Sequence, residues 1–379
     1  MKFVIQRDLL LESLQHVMKA ISPRVAVPIL TGIKIEALPT GVKLTGSDSD
    51  ISIESFIPKE EDGLVHVEEI ETGSIVVQAK YFPEIIRKLP LKTVEISTDE
   101  QYQMTIVSGG SEFHLNGQDA MEYPQLPVLH TDNSFEVKHD IFKEMIKQTV
   151  FAVSTVETRP ILTGVNMKID NRDMAFVATD SHRLASRSIK LDQDFVHIQF
   201  DNIVIPGKSL AELNKIIDDT DETITISVAD NQILFQTKNL YFLSRLLDGK
   251  YPETDRLIPA ESKTSVKVKT KTLLQAIDRA SLLAKENRNN VVKLETKDNF
   301  LQISSNTPEV GQVTEEVVTE TIDGESLKIS FSAKYMIDAL RIVEDEYVMV
   351  HFTGAMRPFV LYPENNHEIL QLILPVRTY

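Results

Sequence analysis

The chain repeats one block of sequence three times along its 379 residues. The repeated block reads AKYFPEIIRKL, GKSLAELNKII and AKYMIDALRIV, and its lysines are Lys80, Lys208 and Lys334. Successive lysines are 128 and 126 residues apart. A repeat of this length is typical of similar domains that each have their own core. The sequence therefore predicts three domains, at 1–128, 129–256 and 257–379.

The first two copies align best over segments 8–32 and 140–164, at an offset of 132 residues. Nine of the 25 aligned pairs are identical, including the PILTG motif that ends both segments. The same offset aligns Asp48 with Asp180. Because PILTG occurs in two copies, we interpret it as a structural connection between a helix and a strand.

Each copy combines two helical patterns with several short strands. Leu10, Leu14 and Val17 recur at helical spacing and predict an apolar stripe on the first helix. Alternating runs such as GVKLTG and ITISV predict half-buried strands. The predicted class is α+β, with two helices in each copy packed on antiparallel sheets. The predicted helices span 7–19, 80–88, 138–147, 208–217, 269–285 and 334–341.

The composition argues against several classes of protein. The absence of Cys excludes disulfides and thiolate metal sites, and it is compatible with a reducing cytoplasm. No apolar run approaches the ~18 residues that a membrane-spanning helix needs. The N-terminal MKFVIQRDLL is charged too early for the apolar part of a signal peptide. We expect a cytoplasmic protein that needs no cofactor and no metal.

The net charge of −16 argues at first sight against nucleic-acid binding, which depends on Lys and Arg. However, the predicted helices contain 16 Lys and Arg against eight Asp and Glu. One interpretation is that these helix faces are simply solvated. The other is that the helices of all copies face one anionic partner, while an acidic exterior discourages nonspecific adhesion.

The size of the predicted domains limits how they could surround such a partner. A compact domain of this length corresponds to a sphere of about 18 Å radius. Three touching spheres in a ring leave a hole of about 5 Å, and six leave about 35 Å. A DNA duplex is roughly 20 Å across. A single chain could therefore not encircle a duplex, but a head-to-tail dimer could, with the first domain of each copy contacting the third domain of the other.

Five segments carry a resemblance to a known family: TGSDSDISIESFIPK, VFAVSTVETRPILTGV, VATDSHRLA, LDGKYP and LPVRTY. Together they resemble the bacterial β sliding clamps, the processivity subunit of DNA polymerase III, and the Gram-positive form most closely. The resemblance spans the whole chain. It implies a dimeric ring of six similar domains, with helices inside and no catalysis. It also implies that a clamp loader places the ring around double-stranded DNA, where it tethers the replicative DNA polymerase and other replication and repair proteins.

The resemblance further implies one apolar cleft per chain for partner peptides that carry a Gln and apolar anchors such as Leu and Phe. The matching residues are Arg159, Leu162, Thr179, Ser181, His182, Arg183, Leu184, Pro252, Arg256, Leu257, Met356, Pro358, Leu372, Leu374, Pro375, Val376 and Arg377. Other family members often carry Gly at the position of Ser181. Thr378 and Tyr379 extend beyond the Arg that nearly ends some members.

Two further sets of residues are predicted to contact DNA and the second copy. The resemblance implies that Arg24, Lys80, Arg87 and Lys208 face DNA, and charge and position add Lys285 and Arg288. The residues that match the apolar dimer contact of the family are Phe113, Leu282 and Leu283.

Two other classes of function remain as alternatives. Thr-Asp-Ser-His-Arg at 179–183 could indicate a hydrolase that uses Ser181 and His182, but adjacent side chains do not form a catalytic relay and no GxSxG motif accompanies them. Asp48 and Asp50 lack the spacing of an EF-hand. The second alternative is a repeated scaffold or adhesion protein with an acidic binding surface. A monomer in sedimentation would favour that scaffold and exclude the ring.

Overall fold

The computed structural model describes residues 1–127, 134–191, 199–218, 220, 222–284, 290–308 and 310–377. This part of the chain contains six α-helices, two in each copy. All six predicted helices are confirmed, and their ends differ from the predicted ends by at most two residues. None of the helices in the described ranges is long and apolar enough to cross a membrane.

The two helices occupy the same places in each copy: one follows the first strand, and the other precedes the last three strands. The helices are α1 (Arg7–Val17), α2 (Phe82–Lys88), α3 (His139–Thr149), α4 (Gly207–Ile216), α5 (Thr270–Ala284) and α6 (Ala333–Arg341). The strands of the first copy are β1 (Lys2–Gln6), β2 (Gly32–Leu38), β3 (Gly41–Ser47), β4 (Ile51–Pro58), β5 (Glu60–Glu61), β6 (Leu64–Val65), β7 (Val67–Glu71), β8 (Gly73–Gln78), β9 (Thr93–Thr98), β10 (Gln103–Ser108) and β11 (Ser111–Gln118). The strands of the second copy are β12 (Ser134–Lys138), β13 (Gly164–Asp170), β14 (Asp173–Thr179), β15 (Arg183–Lys190), β16 (Gln199–Pro206), β17 (Thr223–Val228), β18 (Gln232–Gln236) and β19 (Leu240–Arg245). The strands of the third copy are β20 (Thr264–Lys269), β21 (Val291–Thr296), β22 (Phe300–Thr307), β23 (Gly311–Val318), β24 (Thr321–Gly324), β25 (Lys328–Ser332), β26 (Tyr347–Phe352), β27 (Phe359–Pro363) and β28 (Ile369–Ile373).

The chain divides into two compact units, and the first comprises Met1–Asp140 with Lys215–Leu246. Its main sheet has 13 strands in the order β12-β17-β18-β19-β4-β3-β2-β8-β11-β10-β9-β1-β7. Helix α1 packs on β3, β4 and α2. The predicted apolar stripe of Leu10, Leu14 and Val17 is fully buried, which confirms the helical periodicity. Apolar burial on one helix face is thus what fixes α1 on its sheet.

The second unit comprises Ile141–Asn214 with Leu247–Tyr379. Its larger sheet has the order β16-β13-β14-β15-β28-β27-β26-β20-β24, and its smaller sheet has the order β23-β22-β21-β25. Helices α5 and α6 pack against each other. The core of this unit includes the fully buried rings of Phe331, Phe352 and Phe359, which contact one another at centroid distances of 5.4 and 5.2 Å.

Each unit joins two consecutive copies through the same antiparallel strand pair. In the first unit β4 pairs with β19, and in the second unit β15 pairs with β28. Each pair combines the strand that follows the Asp-Ser turn of one copy with the last strand of the next copy. The units therefore contain parts of two copies each. The domain boundaries at 128 and 256 stay predictions, because the segment at 128–133 lies outside the described residues.

Two strands that match these joining strands have a free edge. Residues 111–116 of β11 pair only with β10 among the residues described, and β23 pairs only with β22 in that same part of the chain. By its order in the copy, β11 matches β19 and β28, while β23 matches β4 and β15. The first unit therefore has one strand of this kind, β11, without a joining partner among the described residues, and the second unit has one, β23.

Candidate functional site

The TDSHRL segment forms a tight turn between β14 and β15. The carboxylate of Asp180 accepts the backbone N–H groups of His182 at 2.9 Å and Arg183 at 3.0 Å. Ser181 has a φ of 75°, which costs a residue with a Cβ about 1–3 kcal/mol. Gly would adopt this conformation without that cost. The two hydrogen bonds of the Asp180 carboxylate therefore stabilise the turn, although Ser181 disfavours the backbone conformation that the turn requires.

Arg183 follows this turn, and its side chain is only 8% exposed. Its guanidinium donates to Asp180 at 3.0 Å, to Asp338 at 2.7 Å and to the carbonyl of Phe151 at 2.6 Å. It also stacks on Tyr335, with 4.6 Å between the guanidinium carbon and the ring centroid. These contacts occupy the guanidinium within the chain. Arg183 therefore supports the turn and is not exposed to a ligand.

An apolar cluster lies beside the turn, and Leu184 and Leu372 are its buried members from the predicted cleft. The strand register places Leu184 opposite Leu372, and Leu372 opposite Val360. Leu374 packs on this cluster and is half-buried. The backbone N–H of Leu374 donates to the carbonyl of His182 at 2.9 Å, so the C-terminal segment is fastened to the turn.

Leu162 belongs to a second apolar cluster, with Val204 and Tyr251. The hydroxyl of Tyr251 accepts the backbone N–H of Thr179 at 3.0 Å, which connects this cluster to the turn. Burial raises the pKa of the Tyr251 phenol, so this hydroxyl stays protonated at neutral pH. Thr179 thus adjoins both apolar clusters, one through its bond to Tyr251 and the other through its strand pairing with Leu184.

The remaining predicted cleft residues lie closer to solvent. Leu257 and Met356 are large apolar side chains with 50% and 54% of their surface exposed. The N–H of Val376 donates to the carbonyl of Ser330 at 2.7 Å, which fixes the C-terminal segment along β25. The half-buried residues are Pro358, Pro375 and Val376, and the exposed ones are Arg159, Ser181, His182, Pro252, Arg256 and Arg377. Thr378 and Tyr379 lie outside the described residues.

The same geometry argues against the hydrolase alternative. The carboxylate of Asp180 bonds to the turn and to Arg183, while the His182 ring lies near the carbonyl of Asp180 at 3.4 Å. A catalytic relay needs the carboxylate on the ring N–H and the other ring nitrogen on the Ser hydroxyl. In the described ranges no cluster of His, Asp and Glu side chains could hold a metal ion.

Four of the six residues predicted to face DNA lie in the described ranges and are exposed, and two of these four line a common groove. This groove has a volume of about 490 Å³, lies in the first unit, and is lined by Lys80 and Arg87. Lys19 and Lys215 also line it, and neither was predicted. Both lie at helix ends that are distant in the sequence, so only the packing of the helices reveals that they share a surface. Arg24 and Lys208 are exposed, whereas Lys285 and Arg288 lie outside the described residues.

The helix bounds also change the charge estimate. Within the six helices as they are formed, 11 Lys and Arg stand against eight Asp and Glu. Most of the positive excess in the sequence estimate came from lysines that flank the helices, such as Lys19, Lys80 and Lys269. The basic surface is therefore built at helix ends rather than along whole helices.

The residues predicted for the dimer contact lie near the two free strand edges. Phe113, which is 39% exposed, lies on β11 within its free segment. Leu282, which is 63% exposed, lies on α5, the helix that packs on β22 and β23. Leu283 is half-buried, and its carbonyl accepts the hydroxyl of Thr307 at 2.7 Å. Each free edge thus has a predicted apolar contact residue beside it.

Family models of the DNA polymerase III beta subunit match three consecutive parts of the chain. They are the N-terminal domain at 1–127, the central domain at 136–253 and the C-terminal domain at 255–377. The beta sliding clamp of Bacillus subtilis is 57% identical over 382 residues, and that of Halalkalibacterium halodurans is 52% identical over 380 residues, each with full coverage of both chains.

Solved structures agree with these matches. The crystal structure of the DNA polymerase sliding clamp from Bacillus subtilis covers both chains in full with a TM-score of 0.96 at 57% identity. The beta subunit from the DNA polymerase of Streptococcus pyogenes does so with a TM-score of 0.94 at 40% identity. The predicted α+β class with three repeated clamp domains is thereby confirmed. The chain belongs to the DNA polymerase III beta-subunit family, the β sliding clamps.

Proposed function

We propose that this chain is a DNA sliding clamp that acts as a closed ring of two head-to-tail copies around duplex DNA. It catalyses no reaction. It raises the processivity of the replicative polymerase because the ring cannot leave the DNA without opening. We infer a cytoplasmic location, because the DNA on which a bacterial sliding clamp acts lies in the cytoplasm. The observation that supports the ring is the repeated strand pair that joins consecutive copies. The strands β11 and β23 match the two members of this pair, and each has a free edge among the described residues.

The repeat specifies how the ring would close. Within the chain the strand after the Asp-Ser turn pairs with the last strand of the next copy, as β4 does with β19. The matching strand β23 of the third copy has a free edge among the described residues, and we infer that it pairs with β11 of a second copy of the chain. Exposed strand edges readily accept such pairing. A heterologous contact of this kind, made twice, closes a ring with two-fold symmetry.

We predict that Leu282→Asp converts the dimer to a monomer at micromolar concentration. A charge placed in an apolar contact is left without water or a partner, which is expensive, whereas the exposed side chain costs the single chain little. Analytical ultracentrifugation measures the change. Leu64→Asp, at a residue of similar exposure (65%), is the matched control and should remain a dimer. A Leu282→Asp variant that sediments as a dimer would contradict this closing contact.

The DNA contact proposed for the ring is weak and independent of sequence. Lys19, Lys80, Arg87 and Lys215 in the groove can contact phosphates, while Glu84 pairs with Arg87 at 2.8 Å and moderates the local charge. Phosphate contacts position a protein without reading bases, and their strength depends on salt. Modest positive charge therefore suits a ring that must move along its duplex.

We predict that retention on DNA depends on the topology of the DNA. The protein is loaded on a nicked circular plasmid with a clamp loader and ATP, and is separated from free protein by gel filtration at high salt. We expect it to stay with the circle and to be released when a restriction enzyme cuts the plasmid. A plasmid without the restriction site is the control. Equal retention on circular and linear DNA would exclude topological linkage.

The cleft of the second unit is proposed to bind the partner proteins, among them the polymerase and the clamp loader. Leu184, Leu372 and Leu374 form one apolar surface, and Leu162 belongs to the other. Each apolar anchor of a peptide is worth roughly 1.5–3 kcal/mol when fully buried. Two such anchors supply roughly 3–6 kcal/mol, less than the ~8 kcal/mol of a micromolar complex, so the binding is weak enough for partners that must exchange.

A further inference from the structure

A pocket of about 230 Å³ lies in the first unit, beside the Asp-Ser turn of the first copy. Leu30, Ser52 and Leu243 line it, together with Arg245 and the segment 124–127. The pocket occupies the position in the first unit that the candidate cleft occupies in the second unit. The pocket lies on the strand pair β4–β19, and the cleft lies on the matching pair β15–β28. The two sites can therefore be compared residue by residue.

The turns at the two sites have the same geometry. Ser49 has a φ of 80° and Ser181 a φ of 75°, although this region is unfavourable for Ser. The carboxylate of Asp48 accepts two backbone N–H groups of its turn at 3.1 and 2.9 Å, and Asp180 does so at 2.9 and 3.0 Å. The backbone of the site is thus repeated in detail, including its strained residue.

The segment that follows the joining strand is also fastened in the same way. The N–H of Arg245 donates to the carbonyl of Asp50 at 2.9 Å, as the N–H of Leu374 donates to the carbonyl of His182 at 2.9 Å. The side chain of Arg245 therefore takes the place that Leu374 has in the cleft.

A second apolar residue of the cleft is replaced as well. The register pairs Ser52 with Leu243, as it pairs Leu184 with Leu372. Ser52 thus takes the place of Leu184, and its hydroxyl bonds to that of Ser47 at 2.7 Å. Two of the three leucines on this surface of the cleft, Leu184 and Leu374, are thus replaced by polar residues in the pocket, while Leu243 keeps the place of Leu372.

The other apolar surface is retained. A buried cluster with the same residue types lies below both turns, at offsets of 132 and 128 residues. Its matching members are Leu30, Val76 and Tyr123 in the first unit, and Leu162, Val204 and Tyr251 in the second. The pocket therefore combines one apolar surface with an arginine and serine hydroxyls.

We propose that this pocket is a second peptide-binding site, which takes an extended segment with one apolar and one acidic side chain. The apolar side chain would pack over the Leu30 cluster, and the carboxylate would bind Arg245 and the hydroxyl of Ser52. The inference rests on the proposed cleft, because the class of occupant is taken from it. The apolar cleft would then select one set of partners and the polar pocket another.

The charges around the pocket restrict the occupant. Among the described residues the exposed guanidinium of Arg245 has no ion-pair partner, so it can accept a carboxylate. Asp50 also lines the pocket and would repel a second negative charge. The segment 124–127 borders the same space, and its half-buried Leu126 limits the length of what can enter. A short peptide with a single acidic residue fits these conditions best.

Two synthetic peptides test the proposal on the full chain, Gln-Leu-Thr-Leu-Phe for the cleft and Gln-Leu-Thr-Glu-Ser, with one apolar and one acidic side chain, for the pocket. Calorimetric titration should show that Arg245→Gln weakens the acidic peptide by about tenfold and leaves the apolar peptide unchanged. Lys59→Gln removes the same charge from an exposed side chain elsewhere in the unit and should change neither affinity.

A second variant converts the pocket to the residues of the cleft. Ser52→Leu combined with Arg245→Leu should raise the number of apolar peptides bound per chain from one to two. Failure of the acidic peptide to bind the unaltered chain, or binding that is insensitive to Arg245→Gln, would overturn the proposal. If the apolar peptide fails to bind the unaltered chain, the proposed cleft fails instead, while the effect of Arg245→Gln still decides the pocket. Circular dichroism checks that the variants fold.

Discussion

Arg183→Ala is expected to lower the free energy of unfolding of the second unit by about 3–5 kcal/mol. The buried guanidinium contacts Asp180, Asp338 and the carbonyl of Phe151, so its removal leaves these acceptors without their donor. Unpaired carboxylates with little access to water are expensive, and the stacking on Tyr335 is lost as well. The turn that carries the proposed cleft would lose its support at the same time.

Urea and thermal unfolding, followed by circular dichroism and by tyrosine fluorescence, measure this effect. Arg256→Ala is the control, because its side chain is 84% exposed and pairs only at the surface with Glu253. We expect a clear shift of the unfolding midpoint for Arg183→Ala and almost none for Arg256→Ala. Arg183→Ala combined with Asp338→Asn should recover part of the loss, because one unpaired charge is then removed. Equal midpoints for both arginine variants would show that Arg183 does not hold the turn.

Local pattern was sufficient to predict much of the fold. The helices follow from apolar spacing, and α1 buries the residues that its period selects, such as Leu10 and Leu14. The repeat predicted that the copies share their elements. The pairing of β4 with β19 could not be predicted, because it joins segments that are almost 200 residues apart and depends on which edge each strand leaves free. Register between distant strands is a property of the whole unit.

The candidate site, too, was predicted only in part, because some of its contacts join residues that are far apart in the sequence. The resemblance selected Leu184, Leu372 and Leu374, which the structure brings together in one cluster. It also selected Arg183, whose burial is invisible in the sequence because Asp338 and Tyr335 come from a helix about 155 residues away. The basic groove was only half predicted, since the positions of Lys19 and Lys215 depend on how three helices meet.

Removal of residues 374–379 is expected to weaken the binding of the apolar peptide by about 100-fold or more. The deletion removes Leu374 from the apolar cluster, along with its bond to the carbonyl of His182 and the bond of Val376 to Ser330. One lost anchor accounts for roughly 1.5–3 kcal/mol, and the loosened turn adds to the loss. Strand β28 ends at Ile373 and keeps its pairing with β15, so the second unit should still fold.

Titration of the truncated chain with Gln-Leu-Thr-Leu-Phe measures this loss, and sedimentation shows whether the dimer survives. Leu374→Ala alone should cost about tenfold in affinity, because the backbone bonds of the C-terminal segment remain. Lys269→Ala, at a side chain that is 56% exposed and lies outside the predicted cleft, serves as the control and should bind almost as the unaltered chain does. Unchanged affinity after the deletion would place the peptide elsewhere. Loss of the dimer together with the peptide would instead mean that the C-terminal segment stabilises the whole unit, and the cleft would then have to be tested by Leu374→Ala alone.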